Sequence, residues 1–126
     1  MTDIPTNLRY TRDHEWARRD GDLVVVGLTA FAVQQLGDIV FVDLREVGTA
    51  VETEEGMGTV ESVKAVSELF APVSGKIVEK NPELDGSPEE LNEDPYGTWM
   101  MKIKPTDAKQ FDALLTPEQY RQLTTE

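Results

Sequence analysis

The sequence contains no cysteine, which excludes disulfides, thiolate metal sites, thiol redox chemistry and a cysteine nucleophile. It has a single histidine, His14, too few for a His-rich metal centre. Positive charge is scarce as well. Twelve Lys and Arg stand against twenty-four Asp and Glu, a formal net charge of −12, with an isoelectric point near 4.4. A phosphate backbone or an anionic membrane surface needs a positive footprint, so neither nucleic acid nor membrane is expected as a partner. No apolar run approaches the length of a membrane span, and the opening MTDIPTNLRY has no signal-peptide core. The expectation is a cytoplasmic protein with little side-chain chemistry for catalysis.

What is present is a soluble globular balance: 126 residues, 39% hydrophobic and 29% charged. That length suits one domain, 1–126. Residues 8–104 read mainly as short strands and 106–126 as a helical extension. Leu23 to Leu28 is β-branched and follows the turn signal Asp20-Gly21-Asp22, so it reads as a buried strand. Thr29 is placed to cap a helix over Ala30 to Leu36, with Phe31 and Leu36 toward the core and Gly37 as its stop. Further strands are expected over Ile39 to Leu44, on both sides of a tight turn between Val60 and Phe70, over Lys76 to Glu79, and over Trp99 to Lys104. Ser87-Pro88-Glu89-Glu90 and Thr116-Pro117-Glu118-Gln119 both carry capping-box spacing. Short strands punctuated by Gly, Pro and Asp turns predict a mainly β barrel or sandwich, not a parallel α/β sheet.

The most informative stretch lies between Arg45 and Lys76. Its thirty intervening residues hold six glutamates and one cation, Lys64. Val60-Glu61-Ser62-Val63-Lys64-Ala65-Val66-Ser67-Glu68 reads as two strands meeting at Val63-Lys64. A lysine at such a tip projects a primary amine on a flexible stem, a good acceptor for an acyl group. The alternative is a solvated surface lysine pairing loosely with Glu61 or Glu68. Spacing and charge alone leave both open.

Glu61-Ser62-Val63-Lys64-Ala65, followed by Ala71-Pro72-Val73-Ser74-Gly75, resembles the lipoyl-lysine signature of the glycine cleavage H-protein family. His14-Glu15-Trp16, Gly37-Asp38-Ile39-Val40-Phe41-Val42, Asn92-Glu93-Asp94-Pro95-Tyr96-Gly97 and Met101-Lys102-Ile103-Lys104 agree with that family in the same order. The resemblance implies a flattened β-barrel of the lipoyl/biotinyl type, made of two small antiparallel sheets with a short helix in the N-terminal half and helices at the C-terminus. It implies a non-catalytic carrier with lipoate joined by an amide to Lys64. The partners it implies are a pyridoxal-phosphate glycine decarboxylase, a tetrahydrofolate-dependent aminomethyltransferase, a dihydrolipoyl dehydrogenase and a lipoylating enzyme. A monomer is the simplest state for a carrier that visits several partners. A relay or donor of lipoyl groups to 2-oxoacid dehydrogenase complexes is the alternative within this class.

By the same resemblance, Glu61 is a recognition element for the lipoylating enzyme. Glu15, Glu68 and the backbone near Asp13 line the cleft that holds the loaded arm. Here the sequence departs from the family pattern, which has Ser at the place of Asp13 and Asp at the place of Glu68. The spacing between Tyr96 and Trp99 is also one residue shorter. A hydrolase using Glu15 and Glu68 as paired carboxylates is the reading from a different class, and no spacing demands it. His14 has no nucleophile beside it in any motif and is expected to be structural. The runs Glu52-Thr53-Glu54-Glu55 and Glu89-Glu90 lack the alternating ligands of a calcium loop and read as solvated acidic faces.

Overall fold

The structure, a computed structural model, describes residues 4–124. Among the described residues, nine strands form two antiparallel sheets packed face to face. The larger holds β1 (Arg9–Tyr10), β2 (Glu15–Asp20), β3 (Leu23–Leu28), β9 (Met101–Pro105), β8 (Gly75–Lys80) and β5 (Ala50–Val51) in the spatial order β1-β2-β3-β9-β8-β5. The smaller holds β4 (Ile39–Leu44), β6 (Gly56–Ser62) and β7 (Val66–Phe70) in the order β4-β6-β7. This is the mainly β two-sheet architecture expected from the sequence.

Val24, Val26, Ile77, Met101 and Ile103 of the larger sheet meet Val42, Val60 and Leu69 of the smaller one, all buried. Each such side chain contributes roughly 1.5–3 kcal/mol by leaving water. β3 shows no alternation because it is covered on both faces. Val24 and Val26 face the sandwich, while Val25 faces a second cluster with Tyr10, Trp16 and Tyr120. That outer cluster exists because the C-terminal segment folds back on the larger sheet.

Helix α1 (Ala30–Leu36) forms where expected. The Ala32 N–H donates to the Thr29 hydroxyl at 3.2 Å, and Gly37 stops the helix at φ 81°. Its buried residues are Val33 and Leu36, however, not Phe31. Phe31 is half-buried and packs on the His14 ring. The expected strand at Ile39 to Leu44 is correct in extent, but its register shifts between Ile39 and Phe41, leaving Val40 and Phe41 exposed.

Other boundaries move. Ser87 does not cap a helix through its side chain; the chain instead forms α2 (Glu83–Gly86) and α3 (Glu90–Glu93), whose cap positions carry no side-chain bond. Trp99 precedes β9 instead of opening it. The C-terminal extension is two helices, α4 (Lys109–Asp112) and α5 (Pro117–Thr124), separated where Leu115 exchanges backbone bonds with Tyr10 at 2.8 and 2.9 Å. The capping box at Thr116 is realised: the Gln119 N–H donates to Thr116 Oγ1 at 3.2 Å, and the Thr116 N–H to Gln119 Oε1 at 2.9 Å. Among the described residues no helix is long and apolar enough to cross a membrane.

Candidate functional site

Lys64 lies at the tip of the β6–β7 hairpin, as the flanking β-branched residues required. Ser62 builds the turn. Its hydroxyl accepts the Lys64 N–H at 3.3 Å and the Ala65 N–H at 3.0 Å, while its own N–H donates to the Ala65 carbonyl at 2.8 Å. A serine oxygen substitutes here for backbone acceptors that a three-residue reversal cannot supply. The tip is also tied to the neighbouring strand, since the Val63 N–H donates to the Asp38 carbonyl at 3.1 Å.

The Lys64 side chain is exposed and belongs to none of the four ion pairs among the described residues. The loose pairing with Glu61 or Glu68 that the sequence left open is therefore not formed. The lysine stem passes over Gly37, where an added Cβ would stand 3.4 Å from Lys64 Cε. Its backbone is thus held and its amine presented.

A groove of about 300 Å³ runs beside the free edge of β7, next to the tip. Leu28, Leu36 and Val60 give it apolar walls, and Asp13 and Glu68 stand at it as carboxylates. The Glu68 carboxylate reaches across to Gly56 and occupies the space a side chain there would need. The structure thus brings Asp13 and Glu68 to one groove. Glu61 is exposed elsewhere, on the outer face of the sheet, in cross-strand register with Phe41 on one side and Val66 on the other.

Glu15 lies apart from that groove, 1% exposed. Thr11 Oγ1 donates to Glu15 Oε1 at 2.5 Å, and the Phe70 N–H donates to Oε2 at 3.0 Å. Its carboxylate thereby ties the last residue of β7 to the start of β2. Burial pushes the Glu15 carboxyl up to about 7; the bonds from Thr11 and Phe70 oppose the rise, and the nearby Asp13 charge adds to it.

His14 sits in this same loop at φ 71°. Its Nδ1 lies 2.9 Å from the Tyr120 hydroxyl, which is 2.7 Å from Thr29 Oγ1. Burial lowers the His14 pKa, with Asp13 opposing. This network joins the β1–β2 loop, the α1 cap and the last helix, the structural role expected for the lone histidine. Tyr120 is fully buried and stacks on Tyr10 with ring centroids 4.6 Å apart.

Three supports of the site were not read from the sequence. Ser62 carried a recognisable signal, a hydroxyl residue opening a turn within a β-branched run. Asn92 stands within a quoted motif, but its bonds to Gly37 and Ile39 span more than fifty residues. Tyr120 was placed on the last helix without its hydroxyl partners.

The donor set fits an acylated lysine. A primary amine stands at an exposed tip, and the adjoining groove has aliphatic walls for a hydrocarbon arm and carboxylates for a cationic end. Two apposed antiparallel sheets with a protruding hairpin constitute a lipoyl-domain-type fold, the architecture of small carrier domains. A family model described as Glycine cleavage H-protein matches residues 8–126. Glycine cleavage system H proteins of Bacillus cereus (strain AH187) and Bacillus anthracis (strain A0248) are each 55% identical to this chain over 124 residues, covering 98% of both sequences. The crystal structure of a glycine cleavage system H protein from Mycobacterium marinum superposes with a TM-score of 0.86 at 44% identity, covering 94% of this chain and 97% of that one. The chain belongs to the glycine cleavage H-protein family, a carrier component of a multienzyme system.

Proposed function

We propose that this protein is a non-catalytic shuttle whose Lys64 amine carries lipoate in amide linkage. The observation that supports it most directly is the presentation of Lys64: backbone fixed by Ser62 and Asp38, amine exposed and unpaired, aliphatic groove alongside. Held by Lys64, lipoate would supply the dithiol–disulfide chemistry that this cysteine-free chain lacks, for carrying an aminomethyl group from the pyridoxal-phosphate glycine decarboxylase to the tetrahydrofolate-dependent aminomethyltransferase, with dihydrolipoyl dehydrogenase as the reoxidising partner.

The chain's own residues position and shelter. The Ser62-braced turn keeps the attachment point at the edge of the molecule, so the arm's reach is spent outside the protein and each transfer gains effective concentration. Ala32, Ala65 and Val66 offer apolar surface to a folded-back arm over a floor that includes Leu28 and Leu36. Asp13 and Glu68 offer acceptors to a protonated amine, and charge-assisted bonds of that kind are about twice as strong as neutral ones. Glu15 supports the groove from behind by fixing Phe70 and the end of β7. In this reading it acts on the arm through the strand it anchors. Glu61, on the outer face near the tip, is available to a lipoylating enzyme without entering the groove. The carrier works as one domain, as a monomer in the cytoplasm.

The test is an intact mass and peptide map of protein produced with lipoate and a lipoylating enzyme. One lipoyl group on Lys64 is the expected result. A bare Lys64 beside a fully modified lipoyl domain from the same cells would overturn the proposal.

A further inference from the structure

Neither outer strand of the three-stranded sheet pairs with a further strand, although Asn92 accepts the Ile39 N–H at the start of β4 and Glu15 accepts the Phe70 N–H at the end of β7. β7 borders the groove beside Lys64. β4 borders a second groove of about 520 Å³, walled on its far side by β8 and α2, and the shuttle role makes no use of it.

Its lining is mixed, with apolar and charged side chains in similar number, and open to water. Phe41 and Val47 are 54% and 53% exposed; Val78 beside them is half-buried, and Leu84, at the same groove, is buried. Exposed large side chains gathered in one concavity mark an interaction site more often than a bare surface. The strand edge is available too. The Arg45 N–H donates to the Met57 carbonyl at 2.9 Å, so strand alternation turns the N–H and C=O groups of Val42 and Leu44 away from β6. Among the described residues, no bond outside the sheet ladders involves those groups. The rim carries Asp43, Glu46, Glu79 and Asp85, against one lining cation, Lys80, already 3.6 Å from Glu46.

From these observations we infer that the β4 groove docks an extended, basic segment of a partner protein. The segment adds as a strand to the β4 edge, sets an apolar side chain against Phe41 and Val47, and brings Lys or Arg to the carboxylate rim. A second copy of this chain is a poor occupant, because two molecules of net charge −12 repel. Position suits docking. β4 starts beside Asp38, whose carbonyl holds the hairpin tip, while the groove runs from Phe41 to Val47 toward the strand's other end, so a segment seated there leaves Lys64 and the β7 groove open. The inference stands on the groove, the edge and the charges, and does not depend on what Lys64 carries.

The probe is a blocked heptapeptide of alternating lysine and valine, titrated into the nitrogen-15-labelled full chain, with a glutamate–valine peptide as control. Expected are amide shifts centred on Val42, Leu44 and Val47, and no binding of the control. Separate Phe41→Asp and Glu46→Lys variants, each with an intact folded spectrum, should lose about ten-fold or more in affinity, roughly 1.4 kcal/mol. Absence of binding, shifts scattered over the acidic surface, equal binding of the control peptide, or unchanged affinity in both variants would each overturn the inference.

Discussion

Asn92 closes two hydrogen bonds on a segment 53 residues away: its Oδ1 accepts the Ile39 N–H at 2.9 Å, and its Nδ2 donates to the Gly37 carbonyl at 2.9 Å. Between those two residues lies Asp38, whose carbonyl receives the Val63 N–H of the hairpin tip. A side chain on α3 thus sets the place of the lysine turn through one intervening strand start.

Asn92→Ala removes both bonds and leaves the N–H of buried Ile39 without its acceptor. A loss of about 1–3 kcal/mol is expected for a stranded buried donor. Urea unfolding reads that loss, and amide exchange at Val63 reads the consequence for the turn. Exchange at Val63 should quicken beyond what the global destabilisation explains. Unchanged protection there would show that Asn92 supports the fold without positioning the turn.

Lys64→Arg separates presentation from chemistry. The site is exposed and unpaired, so stability should stay within about 0.5 kcal/mol of the parent. Lipoylation should vanish, because guanidinium keeps the charge but lacks an acylatable primary amine. Intact mass after incubation with a lipoylating enzyme reads the outcome. A lipoyl group on the variant would move the attachment point elsewhere in the chain.

The Glu15 carboxyl, raised to about 7 by burial, makes stability depend on pH. The folded state holds this proton more tightly than the unfolded chain, whose Glu titrates near 4.5. Its contribution is therefore complete below pH 4.5 and is lost as pH rises through 7. A shift of this size corresponds to about 3 kcal/mol between the two limits. Denaturant unfolding at intervals from pH 5 to 8 should show this decline on the parent, and Glu15→Gln should flatten it. An equal slope in the variant would assign the titration to another group.

Gly27 lies in register with Trp16, and the indole occupies the position a Cβ would take. That ring also donates from Nε1 to the Pro95 carbonyl at 3.0 Å. Gly27→Ala should cost about 1–3 kcal/mol by overpacking and shift the tryptophan fluorescence. Gly86→Ala, where nothing stands within 4 Å, serves as the comparison and should be neutral or gain up to about 1 kcal/mol. Equal effects at the two positions would mean that backbone freedom, not the indole, decides the cost.

Features under local physical control were legible in the residues. β-branched residues on both sides of a short turn marked the hairpin, and the hydroxyl residues Thr29 and Thr116 marked two helix starts. The isolation of Lys64 among glutamates marked the amine. Ser87 shows the limit of such signals: the spacing was right for a cap, but the neighbouring turn of Glu83–Gly86 took the chain along another path. Phe31 shows it too, since helical periodicity cannot say which flank of a seven-residue helix a loop will cover. The tertiary structure decided the long-range relations. It placed Glu15 inside, against Phe70, gathered Asp13 and Glu68 at one groove, and bound the turn to Asn92 through Asp38. It also left the β4 edge open beside Phe41. Burial and hydrogen-bond partners depend on which strands meet, and in an antiparallel sandwich those strands come from distant parts of the chain.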